Sequence, residues 1–292
     1  MYRAFDLCVK DSILQSLDID TERLLVEGEK AIESVDKKTK KILDNVTVDG
    51  TIDGTKLSDG VFPIIQSDVF ISYSHDDEAL VKMIVGLLTS VFGLSIFIDS
   101  LFWGSADSLL KSIDDRYCKN AFPSNDYDYN KRNFSTSHVH AMLTSAIMKA
   151  IDEAEVVIFI NTPNSVPDLK NSIDRKGYDE YTLSPWIYEE LLCTSLIRQR
   201  DWEEYRIQAI TESMHYRFDS NEKLNIKYKL PKDNLIPLTM NDITEWSKRY
   251  QNKDIRHGRY GGLNKIEKRA TEHALNYLYR IVEERITKIG SY

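Results

Sequence analysis

Ser184-Pro-Trp-Ile-Tyr-Glu-Glu190 reads as the opening of a helix. Ser184 suits the N-cap, and Pro185 suits the first helical position, where a missing N–H costs nothing. Trp186 and Glu190 are four residues apart, so they share a face one turn apart. An aromatic ring and a carboxylate on one face can hold a ribose or a base and stabilise a cation. A structural reading stands beside it: Glu189 and Glu190 complement the helix dipole, which suits Glu189 better. A second stretch, Asp99-Ser-Leu-Phe-Trp-Gly-Ser-Ala-Asp107, sets Phe102 and Trp103 beside Gly104. It is either a stacking platform or mobile lid for a planar ligand, or an aromatic pair buried against a helix. His75-Asp76-Asp77 reads as first-turn acids at a helix start. His138 and His140 are two apart and do not share a helix face, so no metal site is expected there. Neither GxxxxGK[ST] nor a GxGxxG after a strand occurs, which excludes a P-loop enzyme and a hydride-transfer dinucleotide enzyme.

These residues need a frame, and the hydrophobic pattern supplies one. Short apolar runs at 68–74, 94–98 and 156–160 read as strands. Helical periodicity covers 77–92, 108–117, 137–153 and 185–198, with a loop-like, tyrosine-rich insertion at 118–136. Fully apolar strands alternating with helices imply a parallel sheet covered on both faces. Ligands of such sheets sit at the carboxyl ends of the strands, so the loops 74–77, 99–107 and 161–186 matter most. Before this unit, residues 1–45 read as helical, with Leu25, Ile32, Val35 and Ile42 on a stripe after Asp20. Asp-Gly pairs at 49–50, 53–54 and 59–60 mark turns or a small hairpin. After it, 224–229 and 235–238 suit strands, 242–250 a helix, and 263–289 a long amphipathic helix.

Composition narrows the function classes. The 292 residues carry 38 Lys+Arg and 46 Asp+Glu, a net charge of −8. That acidity argues against nonspecific nucleic-acid attraction. Hydrophobic residues make up 42%, enough for a real core. No apolar run reaches the roughly 18 residues that span a bilayer. Asp6 and Asp11 interrupt what a signal peptide would keep apolar. Cys8, Cys118 and Cys193 lie far apart without CxxC spacing, which favours a reducing cytoplasm over disulfides or a zinc ribbon. Cys193 reads as a buried small hydrophobe. The expected organisation is a helical N-terminal extension with a short β/turn segment over 1–60, an α/β domain over 61–260 with insertions near 118–136 and 161–183, and an amphipathic C-terminal helix over 261–292.

Four stretches in order resemble the Toll/interleukin-1 receptor (TIR) domains of bacteria. Asp68-Val-Phe-Ile-Ser-Tyr-Ser74 with His75-Asp-Asp77 resembles their first-strand box. Phe97-Ile-Asp99, then Ala106-Asp-Ser-Leu109 and Ile113, resembles the second strand, BB loop and next helix. Residues 156–161 match the third strand, and Ser184-x-Trp186-x-x-x-Glu190-Leu191 matches the box with the catalytic glutamate. The likeness covers about residues 62–200 and is similar in style to the TIR proteins of antiphage systems such as Thoeris. Ala106 departs from it, standing where the family usually has a BB-loop glycine.

The resemblance implies a flavodoxin-like TIR fold and cleavage of the nicotinamide–ribose bond of NAD⁺. The products would be nicotinamide and ADP-ribose or a cyclic isomer. NAD⁺ is then substrate, with no cofactor. Glu190 would be catalytic, with substrate contacts from Ser74, His75, Asp99, Phe102, Trp103, Ser105 and Trp186. The implied partners are further copies of the chain through TIR–TIR contacts, an effector that senses a nucleotide signal, and a phage trigger, with no nucleic acid and no membrane. An acidic chain must also supply local donors for a pyrophosphate, from backbone N–H groups after the first strand, helix N-termini, or Lys131 and Arg132. Two other readings are a non-catalytic TIR adaptor working by homotypic assembly, and a flavodoxin-like nucleoside-processing enzyme such as a deoxyribosyltransferase.

Overall fold

A computed structural model describes residues 1–9, 21–32, 47–48, 51–63, 66–120, 126–167, 180–202, 205, 228–229, 231–252 and 273–289. Its elements in chain order begin with strand β1 (Arg3–Cys8), helix α1 (Thr21–Ile32), a two-residue hairpin β2 (Thr47–Val48) and β3 (Thr51–Ile52), and α2 (Gly54–Val61). Next come β4 (Val69–Ser72), a 3-10 turn at His75–Asp77, α3 (Glu78–Phe92), β5 (Ile96–Ile98) and α4 (Ser100–Ile113), which runs on through a π turn. Then follow α5 (Tyr129–Glu153), β6 (Val156–Asn161), β7 (Tyr181–Thr182), α6 (Pro185–Leu196), β8 (Tyr228–Lys229), β9 (Ile236–Leu238), α7 (Met240–Gln251) and α8 (Ala274–Ile289).

Five strands form one parallel sheet in the order β5-β4-β6-β1-β9. The α/β class and the parallel sheet are as expected, and the arrangement is compatible with a flavodoxin-like fold. The place of β1 is not as expected. Residues 1–45 read as helical, yet Arg3–Cys8 is a strand paired with β6 on one side and β9 on the other. A six-residue run such as Arg-Ala-Phe-Asp-Leu-Cys fits either period, and only its partners decide. Here they do: β1 covers the edge of β6, whose backbone groups would otherwise lack a ladder on that side. The stripe at 21–32 does form a helix, while its continuation at 33–45 lies outside the described residues.

Two glycines let α1 and α3 touch backbone to backbone. A Cβ on Gly28 would sit 2.0 Å from the Lys82 carbonyl oxygen, and one on Gly86 would sit 2.0 Å from that of Leu24. Any side chain at either position would push the helices apart. Gly93 ends α3 in the left-handed region at φ 65°, the usual glycine C-cap.

Two segments expected as loops are helical. α4 starts at Ser100, so most of the stretch matched to a BB loop is helix. α5 starts at Tyr129, with the Asp128 carboxylate accepting from the Lys131 N–H at 2.9 Å as an N-cap, which absorbs the second half of the 118–136 insertion. Arg132 Nε donates there to Asp114 at 2.9 Å, and its guanidinium lies over the Tyr127 ring. Of the Asp-Gly pairs, Asp49-Gly50 lies outside the described residues, and Asp53 caps α2. At the far end, Trp246 of α7 stacks on Phe92 at 4.0 Å and donates to the Ala274 carbonyl, fixing α8. The first part of the expected 263–289 helix lies outside the described residues.

Candidate functional site

Register builds the site. Ser72 pairs with Phe159, and Phe159 pairs with Asp6, so all three side chains project from one face. Ile71 pairs with Ile98, which brings Asp99, the next residue, into line with Ser72. A row of Asp99, Ser72, Phe159 and Asp6 therefore crosses the carboxyl end of four strands. α6 delivers Glu190 to the same place. Ser184 caps this helix, accepting from the Ile187 N–H, and Pro185 follows it as expected.

Glu190 is 1% exposed and Asp99 2%. Both Glu190 carboxylate oxygens and Ser72 Oγ are shut from solvent with no hydrogen-bond partner among the described residues. Burial first, and then the negative charge of Asp99, push the Glu190 carboxyl well above its ordinary range; the nearby Ser72 hydroxyl opposes this weakly. A buried carboxylate normally has its acceptor sites filled, and leaving them bare is costly. The neighbouring acid behaves differently: Glu189 accepts from Thr144 Oγ1 at 3.2 Å, tying α6 to α5. The two adjacent glutamates have separate tasks, one structural and one facing the strand ends.

The other expected site residues divide. Trp186 is half-buried, with the His140 ring 5.6 Å away edge-on. Ser74 is half-buried at the start of the 3-10 turn, and His75 is exposed with its ring 5.7 Å from that of Tyr73. Ser105 is buried in α4. Phe102 is not a lid. It is 3% exposed and packs at 4.8 Å on Phe97 and 5.5 Å on Phe62. Its helix begins directly after β5, so its side chain is carried back into the core. Trp103 belongs to the same helix, but its side chain lies outside the described residues.

Pattern reading missed three contributors. Ser72 is the polar residue at the end of an otherwise apolar strand, and that is its only sequence signal. Asp6 sits in a segment read as helix. Lys232 bridges Asp6 and Glu180 and lies 5.8 Å from the Phe159 ring centroid, a contact no local pattern reveals. Asn161 completes that corner by donating to Asp6 at 3.3 Å. Asp77 is a first-turn acid as expected, and it is also a buried strap. It accepts from Thr162 Oγ1 at 2.5 Å and Asn164 Nδ2 at 2.7 Å, joining the turn after β4 to the turn after β6.

No family model, curated protein or solved structure matches the chain. Among the described residues, no helix is long and apolar enough to cross a membrane.

Proposed function

We propose that the chain is a TIR-type NAD⁺ glycohydrolase, with Glu190 as its catalytic carboxylate. One observation carries this: a carboxylate buried at the carboxyl end of a parallel sheet, with both oxygens bare, on the helix whose Ser-x-Trp-x-x-x-Glu-Leu box suggested it. Nicotinamide leaves NAD⁺ as a neutral base from a cationic ring, so no general acid is needed to expel it. The demand falls on the oxocarbenium-like ribose left behind, and a preorganised anion in a dry site meets it. The substrate's positive charge would favour the ionised form of Glu190 that burial and Asp99 disfavour in the free protein. Trp186 borders the same helix face for ring contacts. Water capture yields ADP-ribose, and capture by the adenosine half yields a cyclic isomer. A pure adaptor has no use for a carboxylate buried without partners.

Cytoplasmic location, assembly of several copies, an effector that senses the nucleotide product, and activation by phage infection belong to the same proposal. The test is incubation of the concentrated protein with NAD⁺, with and without extract of infected cells, followed by mass spectrometry of the products. Nicotinamide release that falls about 10³-fold in Glu190→Gln supports the reading. Equal release by the variant, or none by the wild type under either condition, removes it.

A further inference from the structure

The opposite end of the sheet holds a second cluster. Asp68 precedes β4, Glu155 precedes β6 and His273 precedes α8, and one ligand atom from each lies within 4.8 Å of the others. We propose that these three residues form a divalent transition-metal site of the zinc type, which fastens α8 to the strand starts.

Backbone pairing holds two of the ligands rigidly. The Val156 N–H donates to the Asp68 carbonyl at 3.0 Å, and the Tyr2 N–H donates to that of Glu155 at 2.7 Å. Each carboxylate also has an orienting partner on one oxygen. Ser95 donates to Asp68 Oδ2 from its N–H at 2.7 Å and its hydroxyl at 2.6 Å, and Tyr279 donates to Glu155 Oε1 at 2.7 Å. Metal-binding carboxylates are held this way by surrounding donors. The Asp68 Oδ1 atom is left facing His273 Nε2 at 3.4 Å. That is long for a charge-assisted hydrogen bond, which settles near about 2.7–2.9 Å. It matches the ligand–ligand edge of a tetrahedral zinc, roughly 3.4 Å when each ligand is about 2.0–2.1 Å from the metal. The charge fits as well: two carboxylates and one imidazole, with Glu155 buried and Asp68 and His273 half-buried, make a natural seat for a dication. A nitrogen ligand favours zinc-like metals over magnesium or calcium, which take oxygen.

The experiment uses the full chain, stripped with EDTA and titrated calorimetrically with Zn²⁺ and separately with Mg²⁺, with Co²⁺ as a spectroscopic probe. Expected are one Zn²⁺ per chain, no Mg²⁺ signal at the same concentration, and visible Co²⁺ bands of four-coordinate intensity. His273→Gln weakens Zn²⁺ at least about 100-fold, and Tyr279→Phe about 10-fold. Circular dichroism checks that the variants fold. If His273→Gln does not fold, Asp68→Asn serves in its place with the same expectation. Glu190→Gln binds Zn²⁺ as the wild type does. No stoichiometric uptake by the wild type, uptake unchanged in a folded His273→Gln or Asp68→Asn, or uptake lost in Glu190→Gln each overturns the proposal.

Discussion

The two ends of one parallel sheet gather acidic side chains and treat them in opposite ways. At the strand starts, Asp68 and Glu155 have Ser95, Tyr279 and His273 beside them. Burial pushes the Asp68 carboxyl up, but the His273 and Ser95 interactions outweigh it and hold the group below its ordinary range. At the strand ends, Glu190 is more deeply buried and goes the other way, because burial is reinforced by the charge of Asp99 and together they outweigh the Ser72 hydroxyl. Both are carboxyl groups at the edge of one sheet; their depth of burial and their partners differ. At the strand starts the carboxylates are tied to side chains of the fold, and at the strand ends the Glu190 carboxyl is held above its ordinary range.

The largest expected effect separates the two ends directly. Glu190→Gln abolishes about 10³-fold of NAD⁺ cleavage, while His273→Gln leaves turnover unchanged. Loss of turnover in both would mean the ends are coupled. Next, Phe102→Ala tests whether the segment after β5 is core or lid. As core, it costs about 3–5 kcal/mol of stability, read from denaturant midpoints. A stable variant with weakened NAD⁺ binding would restore the lid.

The pH dependence sharpens the contrast further. Glu190 titrates higher in the folded chain than in the unfolded one, so its contribution is full below the ordinary glutamate value of 4.5 and is lost as pH rises through the raised value. The Glu190→Gln variant should therefore gain stability relative to wild type with rising pH, by at most about 1.4 kcal/mol per pH unit. A flat difference between their urea midpoints from pH 5 to 8 would mean that the native carboxylate is already ionised. The smallest effect concerns thiols. Burial, with the charges of Asp152 and Glu190, pushes Cys193 up to about 12, and burial also raises Cys118, whereas Cys8 is exposed. Native protein at pH 8 should alkylate quickly at one thiol per chain, and unfolded protein at three, as counted by intact mass. Rapid native labelling of Cys193 would show that the back of the Glu190 helix is open to water.

Much of this was legible residue by residue. The strands β4, β5 and β6 are short apolar runs, which leave little choice but burial on both faces. Ser184-Pro185 marked the start of α6 to the residue, because capping is a local hydrogen-bonding matter. Trp186 and Glu190 shared a face by helix geometry alone. Where reading failed, the deciding contact came from far along the chain. Arg3–Cys8 is a strand because residues 156–161 and 236–238 flank it. Residues 100–107 looked like a loop, with glycine, serines and exposed-seeming aromatics, yet Phe102 finds Phe62 and Phe97 and pins a helix there.

The sequence by itself determined the alternation of strand and helix, the sheet's parallel character and the helix that carries Glu190, since these follow from periods of two and 3.6 and from capping chemistry within a few residues. Tertiary structure alone decided which strand lies beside β6, that Asp6 and Lys232 join the row of Ser72 and Asp99, and that His273 meets Asp68 and Glu155. It also decided the state of the two acids that matter most. A carboxyl's affinity for its proton depends on the water removed from it and the charges brought near it, and neither is a property of its neighbours in the chain.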